Sequence, residues 1–334
     1  MAEVARRAGV SPMTVSYCYS RRDRVAPDTL RKVLEVAAAL GYQGPDPTAR
    51  SLRRRRNGAI GVVLGEHLAY AFEDPQARRF LAGVSEVCRD RGVGLNLIPT
   101  TGDEDDVERV RSASVDGYIV WTTVDDDPVF TVLNGHDKPV AVHSGPAATG
   151  AEVVTIDNRA SARELAAEVF AGRARPGVLS FPFDRKRAAR LAIGPDPAAI
   201  AYPVTRERLL GVYDHTGERR LPVAVVARND RADAAAMADA LLDVSDAVVA
   251  MSDQLAFAVL DAARRRGLRV PEDLAVAGWD DGPDAERAGL TTVTQSLFDQ
   301  GRDCALIALG ERGPGEPAPW HVTVRTSTRM RQDA

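Results

Sequence analysis

The chain has 334 residues, 45% of them hydrophobic, enough to bury two cores beyond a small terminal unit. Its formal net charge of −4 hides a division: the first 56 residues carry twelve Arg/Lys against five Asp/Glu, and the remainder 31 against 42. No apolar run approaches the roughly 20 residues that span a bilayer, and Cys18, Cys88 and Cys304 are too few and too scattered for a disulfide framework or a metal-ligand spacing.

A basic head on an acidic body predicts two jobs, one of them with a polyanion, and DNA is the leading candidate. The N-terminus opens into MAEVARRAGV with no apolar stretch ahead of a cleavage site, so a cytoplasmic protein with no membrane partner is expected. Ala2–Ala8 sets Val4, Ala5 and Ala8 at helical spacing, and Gly9 supplies the left-handed residue that ends a helix. Ser11 caps a second helix with Pro12 in its first turn, and Val10 and Val15 turn toward the first. A third helix starts near Pro27–Asp28, buries Leu30, Val33, Leu34, Ala37 and Ala38, and closes at Gly41.

In a helix-turn-helix the second helix enters the major groove by its N-terminal end. Pro12, Met13 and Tyr17 point outward there. Thr14, Ser16 and Ser20 are short hydroxyls suited to phosphate oxygens or nearby bases, while Arg21, Arg22 and Arg24 add charge. The plainer alternative is a solvated basic surface, against which Gly9 and Ser11–Pro12 stand at the turn positions. Next, Pro45 and Pro47 stiffen the entry to a segment in which five of the eight residues from Ala49 to Arg56 are Arg. So short a helix is marginal in water. It either orders when phosphates neutralise the arginines and a partner helix covers Leu52, or it is a charged linker.

From residue 59, short apolar runs alternate with helical stretches. Strands are predicted at 59–64, 95–98, 117–121, 139–143, 153–156, 177–181, 223–226, 247–250 and 274–278. Helices are predicted at 76–91, 103–112, 158–170, 206–213, 231–242, 252–266 and 298–309. Such alternation means parallel sheets covered on both faces, and two such lobes would hold a ligand between strand C-terminal ends. No phosphate-binding GxxxxGK[ST], nucleophile elbow or HExxH occurs, and Gly61, Gly65 and Gly83 make no dinucleotide fingerprint. The five histidines, His67, His136, His143, His215 and His321, have no metal spacing, though His67 and His143 fall near the expected cleft. No enzyme, cofactor or metal is expected.

EVARRAGVSPMTVSYCYS, RVAPDTLRKVLEVAAALGY and PTARSL, in that order, resemble the N-terminal signature of the LacI/GalR family of bacterial transcription regulators. VDGYIV, VVTIDNRASARELA, VPEDLAVAGWDDGPDA and LTTVTQS continue the resemblance over nearly the whole chain. It implies an all-α helix-turn-helix head at 1–44, a hinge helix and linker at 45–56, and an α/β body at 57–334 with two Rossmann-like lobes of the periplasmic-binding-protein type. Lobe one would comprise 57–157 and 292–317, lobe two 158–291 and 318–334, so that three crossings form a hinge. The partners implied are double-stranded, pseudo-palindromic operator DNA, a second copy of the chain, and a small-molecule effector, a sugar or related metabolite.

By family position, Pro12, Met13 and Tyr17 fall on base-reading sites, and Ser11, Thr14, Ser16, Ser20 and Arg22 on or near phosphate or base contacts. Leu52 takes the place of the leucine that wedges open the central minor-groove step, with Ala49 and Arg50 beside it. The cleft rim implied is Phe72, Trp121, Ser144, Asp157, Arg208, Asn229, Trp279 and Asp280. Arg208 would clamp ligand hydroxyls or a carboxylate, Asp280 accept two hydroxyls, and Trp279 or Trp121 stack on an apolar sugar face. Three departures stand out. Tyr17 replaces the usual arginine, so a bidentate reader of guanine gives way to a ring that touches a thymine methyl or a single polar edge. Ser252-Asp253 replaces the frequent Asn-Asp pair, and 181–203 is longer than the family norm, with Arg185, Lys186, Arg187 and Arg190 making it either a lid with anionic-ligand contacts or a solvated loop. The function expected is a ligand-responsive repressor, in which inducer release is the default that the resemblance implies, while a corepressor would leave the same sequence signature; the alternative is a solute-binding or sugar/nucleotide-modifying protein with a vestigial head.

Overall fold

The computed structural model describes residues 1–44, 57–65, 68–147, 150–313 and 315–329. The segment 45–56, with Ala49, Arg50 and Leu52, lies outside the described residues, as does His67. The chain divides into two compact units, Met1–Gly58 and Ala59–Ala334.

In the first unit, α1 (Ala2–Ala8) ends at Gly9, whose φ of 66° lets its N–H close on the carbonyls of Ala5 and Arg6. The Ser11 side chain accepts the Thr14 N–H and so starts α2 (Pro12–Ser20); α3 (Pro27–Ala39) follows a single 3-10 turn, Arg22–Arg24. The buried core is Val4, Ala5, Ala8, Val15, Cys18, Val33 and Ala37. None of these side chains is larger than valine, so the partly buried Leu30, Val36, Leu40 and Tyr42 around them carry much of the apolar burial. Ala38, expected inside, is exposed; Val36 packs inward instead.

The second unit has two sheets. The first comprises β1 (Ala59–Leu64), β2 (Gly94–Pro99), β3 (Gly117–Trp121), β4 (Val140–His143) and β5 (Glu152–Val154), in the order β2-β1-β3-β4-β5 with every pair parallel. The second comprises β6 (Pro176–Ser180), β7 (Arg190–Ile193), β8 (Pro222–Val225), β9 (Ala247–Ala250), β10 (Ala275–Asp280), β11 (Thr291–Gln295) and β12 (Trp320–Thr323). Its order is β12-β11-β10-β9-β6-β8-β7, parallel inside with an antiparallel strand at each edge. Runs such as AIGVVL in β1 and AVVA in β9 are apolar without alternation because helices cover both faces.

Those helices are α4 (Tyr70–Glu73), α5 (Pro75–Arg91), α6 (Glu104–Arg111), α7 (Val129–Leu133), α8 (Asn158–Phe170), α9 (Pro203–Thr216), α10 (Ala235–Leu242), α11 (Asp253–Arg265), α12 (Pro283–Ala288) and α13 (Leu297–Ala308). Although α13 comes late in the chain, it packs on the first sheet, with Leu297, Cys304 and Ala305 in one core with Ile60, Val62 and Phe80. Its approach to α5 is close: a side chain at Gly83 or Gly301 would strike the carbonyl of Phe298 or Phe80.

The lobes differ from expectation in two places. Thr291–Gln295 pairs with β10 and β12 in the second sheet, so the return to lobe one begins with α13 and not at 292. Within 181–203, Arg190–Ile193 forms an antiparallel edge strand on β8, so this stretch is neither wholly a loop nor wholly a lid. An added edge strand caps backbone groups that β8 would otherwise present unpaired. Among the described residues, no helix is long and apolar enough to cross a membrane.

Candidate functional site

Two surfaces gather the residues singled out above. On α2, Pro12, Met13, Tyr17 and Ser20 are exposed, whereas Thr14 and Ser16 are half-buried. Several polar groups there are already engaged. Ser11 Oγ accepts the Thr14 N–H at 3.0 Å and shares a 2.9 Å hydrogen bond with Thr14 Oγ1. Ser20 Oγ donates to the Ser16 carbonyl, and Arg22 Nε donates to the Cys18 carbonyl.

The second surface is a cleft of about 810 Å³, including its open mouth, between the C-terminal ends of strands from both sheets. Trp121, Ser144, Arg208, Asn229 and Asp280, all expected on its rim, line it. Its backbone is under local strain: Thr122, Ser144 and Asp280 hold φ values of 37°, 51° and 99°. Non-glycine residues so placed cost on the order of 1–3 kcal/mol each and tend to gather at functional sites.

Arg208, on α9, is buried against the floor. Its Nε donates to Asn158 Oδ1 at 2.9 Å and its Nη1 to the Met251 carbonyl at 2.5 Å. The guanidinium lies 3.8 Å from the centroid of Trp279, a cation–π contact in a desolvated setting. Burial lowers its pKa to about 10, offset in part by the negative charge of Asp280. Burial likewise raises the Asp280 carboxyl, held back by Arg208 and by Gln295, whose Nε2 donates to Asp280 Oδ1 at 2.7 Å. Gln300 Nε2 donates to Gln295 Oε1, and Gln300 Oε1 pairs with His143 Nε2, both at 3.0 Å. With the Gln300 amide nitrogen turned to Gln295, its oxygen must accept from His143, which fixes the imidazole proton on Nε2. That ring stacks on Trp121 at 4.7 Å, and burial lowers its pKa to about 4, so it is neutral.

Asp74 caps α5 from the other wall, accepting the N–H groups of Gln76 and Ala77, while Asn229 Nδ2 reaches across to its Oδ2 at 3.0 Å. Burial raises its pKa to about 6, opposed by the Ala77 N–H and reinforced by the charge of Asp280. Behind the floor, burial and then Asp280 raise Asp253 to about 7, although it accepts from Thr292 and Gly282. Two further ties cross the cleft: Arg185 pairs with buried Asp127 at 2.7 Å, and Arg206 with Asp125 at 2.8 Å.

Three rim expectations fall elsewhere. Phe72 is 59% exposed and does not line the cleft; Tyr70, two residues back on the same turn and so on the opposite side of the helix, does. Asp157 is exposed, and its carboxylate accepts the Ala160 N–H as the cap of α8. Trp279 is fully buried behind Arg208, because strand residues alternate faces and Asp280 takes the cleft side. It supports the arginine and has no face for a ligand. The sequence reading in turn missed Asp74, Gln295, Phe181 and Tyr202. Phe181 and Tyr202 bracket the long 181–203 stretch, which thus supplies part of the wall. Gln295 stands inside the LTTVTQS motif, but its partner Asp280 is fifteen positions away.

Residues 1–44 match bacterial regulatory proteins of the lacI family, and 187–332 match a periplasmic binding protein-like domain. An HTH-type transcriptional regulator of Mycolicibacterium smegmatis is 36% identical over 336 residues, 95% of this chain and 92% of its own. A solved LacI-family transcriptional regulator from Corynebacterium glutamicum covers 98% of both chains with a TM-score of 0.74 and 26% identity. A complex of the transcriptional regulator CelR with cellobiose covers 97% of this chain and 98% of its own, with a TM-score of 0.66 and 26% identity. Resembling a known regulator over almost its full length, the chain belongs to the lacI family of bacterial regulatory proteins, and is a ligand-responsive transcriptional regulator, not an enzyme.

Proposed function

We propose that the chain is a cytoplasmic homodimeric repressor whose grip on a two-fold operator is set by a neutral, polyhydroxylated effector held in the cleft. Charge supports this class of ligand. Among the described residues, the charged groups lining the cleft are one cation, Arg208, and two carboxyls, Asp74 and Asp280, beside a neutral His143. Such a lining holds no surplus positive charge for a phosphate ester. Its Asp280, Arg208, Asn229 and Gln295 offer both acceptors and donors to hydroxyls, and Trp121, Phe181 and Tyr202 offer apolar faces. CelR binding cellobiose is consistent with this class. Three free, buried cysteines suit a reducing compartment.

In this reading the ligand favours one lobe arrangement over another, and only that difference in affinity shifts operator binding. Arg208 and Asp280, both buried in the lining and of opposite charge, carry the proposal. Ser144 and Asn229 contact the ligand from opposite walls, and α2 carries the DNA contacts. Calorimetric titration of the full chain with glucose, cellobiose and inositol, against glucose 6-phosphate, tests the class. A neutral compound should bind and its phosphate ester should not; binding confined to the ester would overturn it.

A further inference from the structure

We infer that α2 selects its DNA site through the 5-methyl group of thymine, read by the adjacent side chains of Met13 and Tyr17. The inference rests on α2 being the helix that enters the major groove. Met13 is 60% exposed and Tyr17 36%, and their i, i+4 spacing sets them on one face within the first two turns of the helix. Throughout α2, PMTVSYCYS, there is no Arg, Lys, Asn or Gln. Those are the side chains that make bidentate pairs with guanine or adenine edges. Hydroxyls do not fill the gap, since a single O–H cannot make a bidentate pair with a base edge, and Ser20 Oγ already donates to the Ser16 carbonyl while Ser11 and Thr14 bond to each other.

The nearby cations follow the helix: Arg21 is its C-cap and Arg22 and Arg24 lie in the next turn, where they can meet phosphates but not the bases under Met13. What α2 presents at its reading end is therefore a thioether and a phenol ring. The one apolar group that distinguishes a base pair in the major groove is the thymine methyl. A polarizable, flexible methionine and a flat ring are well suited to enclose it. A 5-methylcytosine would present the same group.

The full chain would first be used to enrich a site from random duplex DNA. Each thymine of the enriched half-site would then be replaced by deoxyuracil, which removes only the methyl. At the thymine or thymines under α2, affinity should fall about four-fold per methyl. The Met13→Ala and Tyr17→Ala chains should bind thymine and uracil sites alike. Both positions are exposed, so neither change disturbs the core. An enriched site whose affinity is indifferent to uracil at every position would overturn the inference while leaving DNA binding intact. Failure to enrich any site, even in low salt, would overturn both the inference and the assignment of α2.

Discussion

The exposed face of α2 and the floor of the cleft are built on opposite plans. On α2, Met13 and Tyr17 stand out from a core with no side chain larger than valine. In the cleft, Arg208 and Asp280 are buried and bonded to Asn158, Met251 and Gln295 before any ligand arrives. The contrast separates two ways of being specific. An exposed apolar face can change its reading by one substitution at little risk to the fold, whereas a buried polar network orients a ligand well and is costly to disturb.

That difference can be broken first at Arg208. Arg208→Met would leave Asp280 buried without its cation and Asn158 without its donor. Unfolding of the body should lose about 1–3 kcal/mol for the acceptors left unsatisfied, and sugar binding should weaken by at least about 100-fold, two decades being about 2.7 kcal/mol. Thermal unfolding and calorimetry together check this; an unaffected body would mean that Arg208 is no keystone.

Val15→Ala tests the head in turn. Val15 is fully buried, and its truncation should destabilise the head by about 2 kcal/mol. The body's melting transition should stay in place, and a parallel shift in both transitions would show that the units are not independent. A smaller effect is expected at the lobe ties. Arg185→Ala leaves the buried Asp127 with Thr123 and Val129 as donors but without its cation, and should weaken effector binding about ten-fold. Arg206→Ala, whose partner Asp125 is half exposed, should change it less than about five-fold.

The subtlest test is pH. Asp74 and Asp253, raised to about 6 and about 7, keep their protons in the fold where an unfolded aspartate, near about 4, has lost them. Rising pH between those values therefore removes stability. His143, lowered to about 4, refuses a proton that the unfolded chain accepts below about 6.5, so it adds stability as pH rises through 4 to 6.5. The two trends oppose one another. Asp253→Asn should tilt the melting profile of the body upward with pH relative to the parent between pH 4.5 and 6.5, and an unchanged tilt would contradict the assignment.

The parts legible in the sequence were those set by neighbours in the chain. Gly9 and Ser11–Pro12 mark the turn of the head, and uninterrupted apolar runs such as Gly117–Trp121 mark central strands. The edge strands of the second sheet carry no such run: β7 is largely exposed and β12 is half-buried, so only pairing defines them. The same divide runs through the cleft. Arg208 and Asp280 followed from motif position, but the chain Asp280–Gln295–Gln300–His143 joins residues up to 157 positions apart, and only folding brings them together. Asp157 misled because a helix cap and a ligand-binding aspartate look alike in sequence.

Regulation by this chain turns on coupling between cleft and operator. Its most direct test is the affinity of the full chain for an enriched duplex, measured at fixed salt with and without a saturating sugar that it binds. The same measurement is made on Arg208→Met. The parent should lose operator affinity about 5- to 150-fold when sugar is added, as expected for coupled sites, and the variant should not respond. Equal operator affinity of the parent with and without bound sugar would contradict the account.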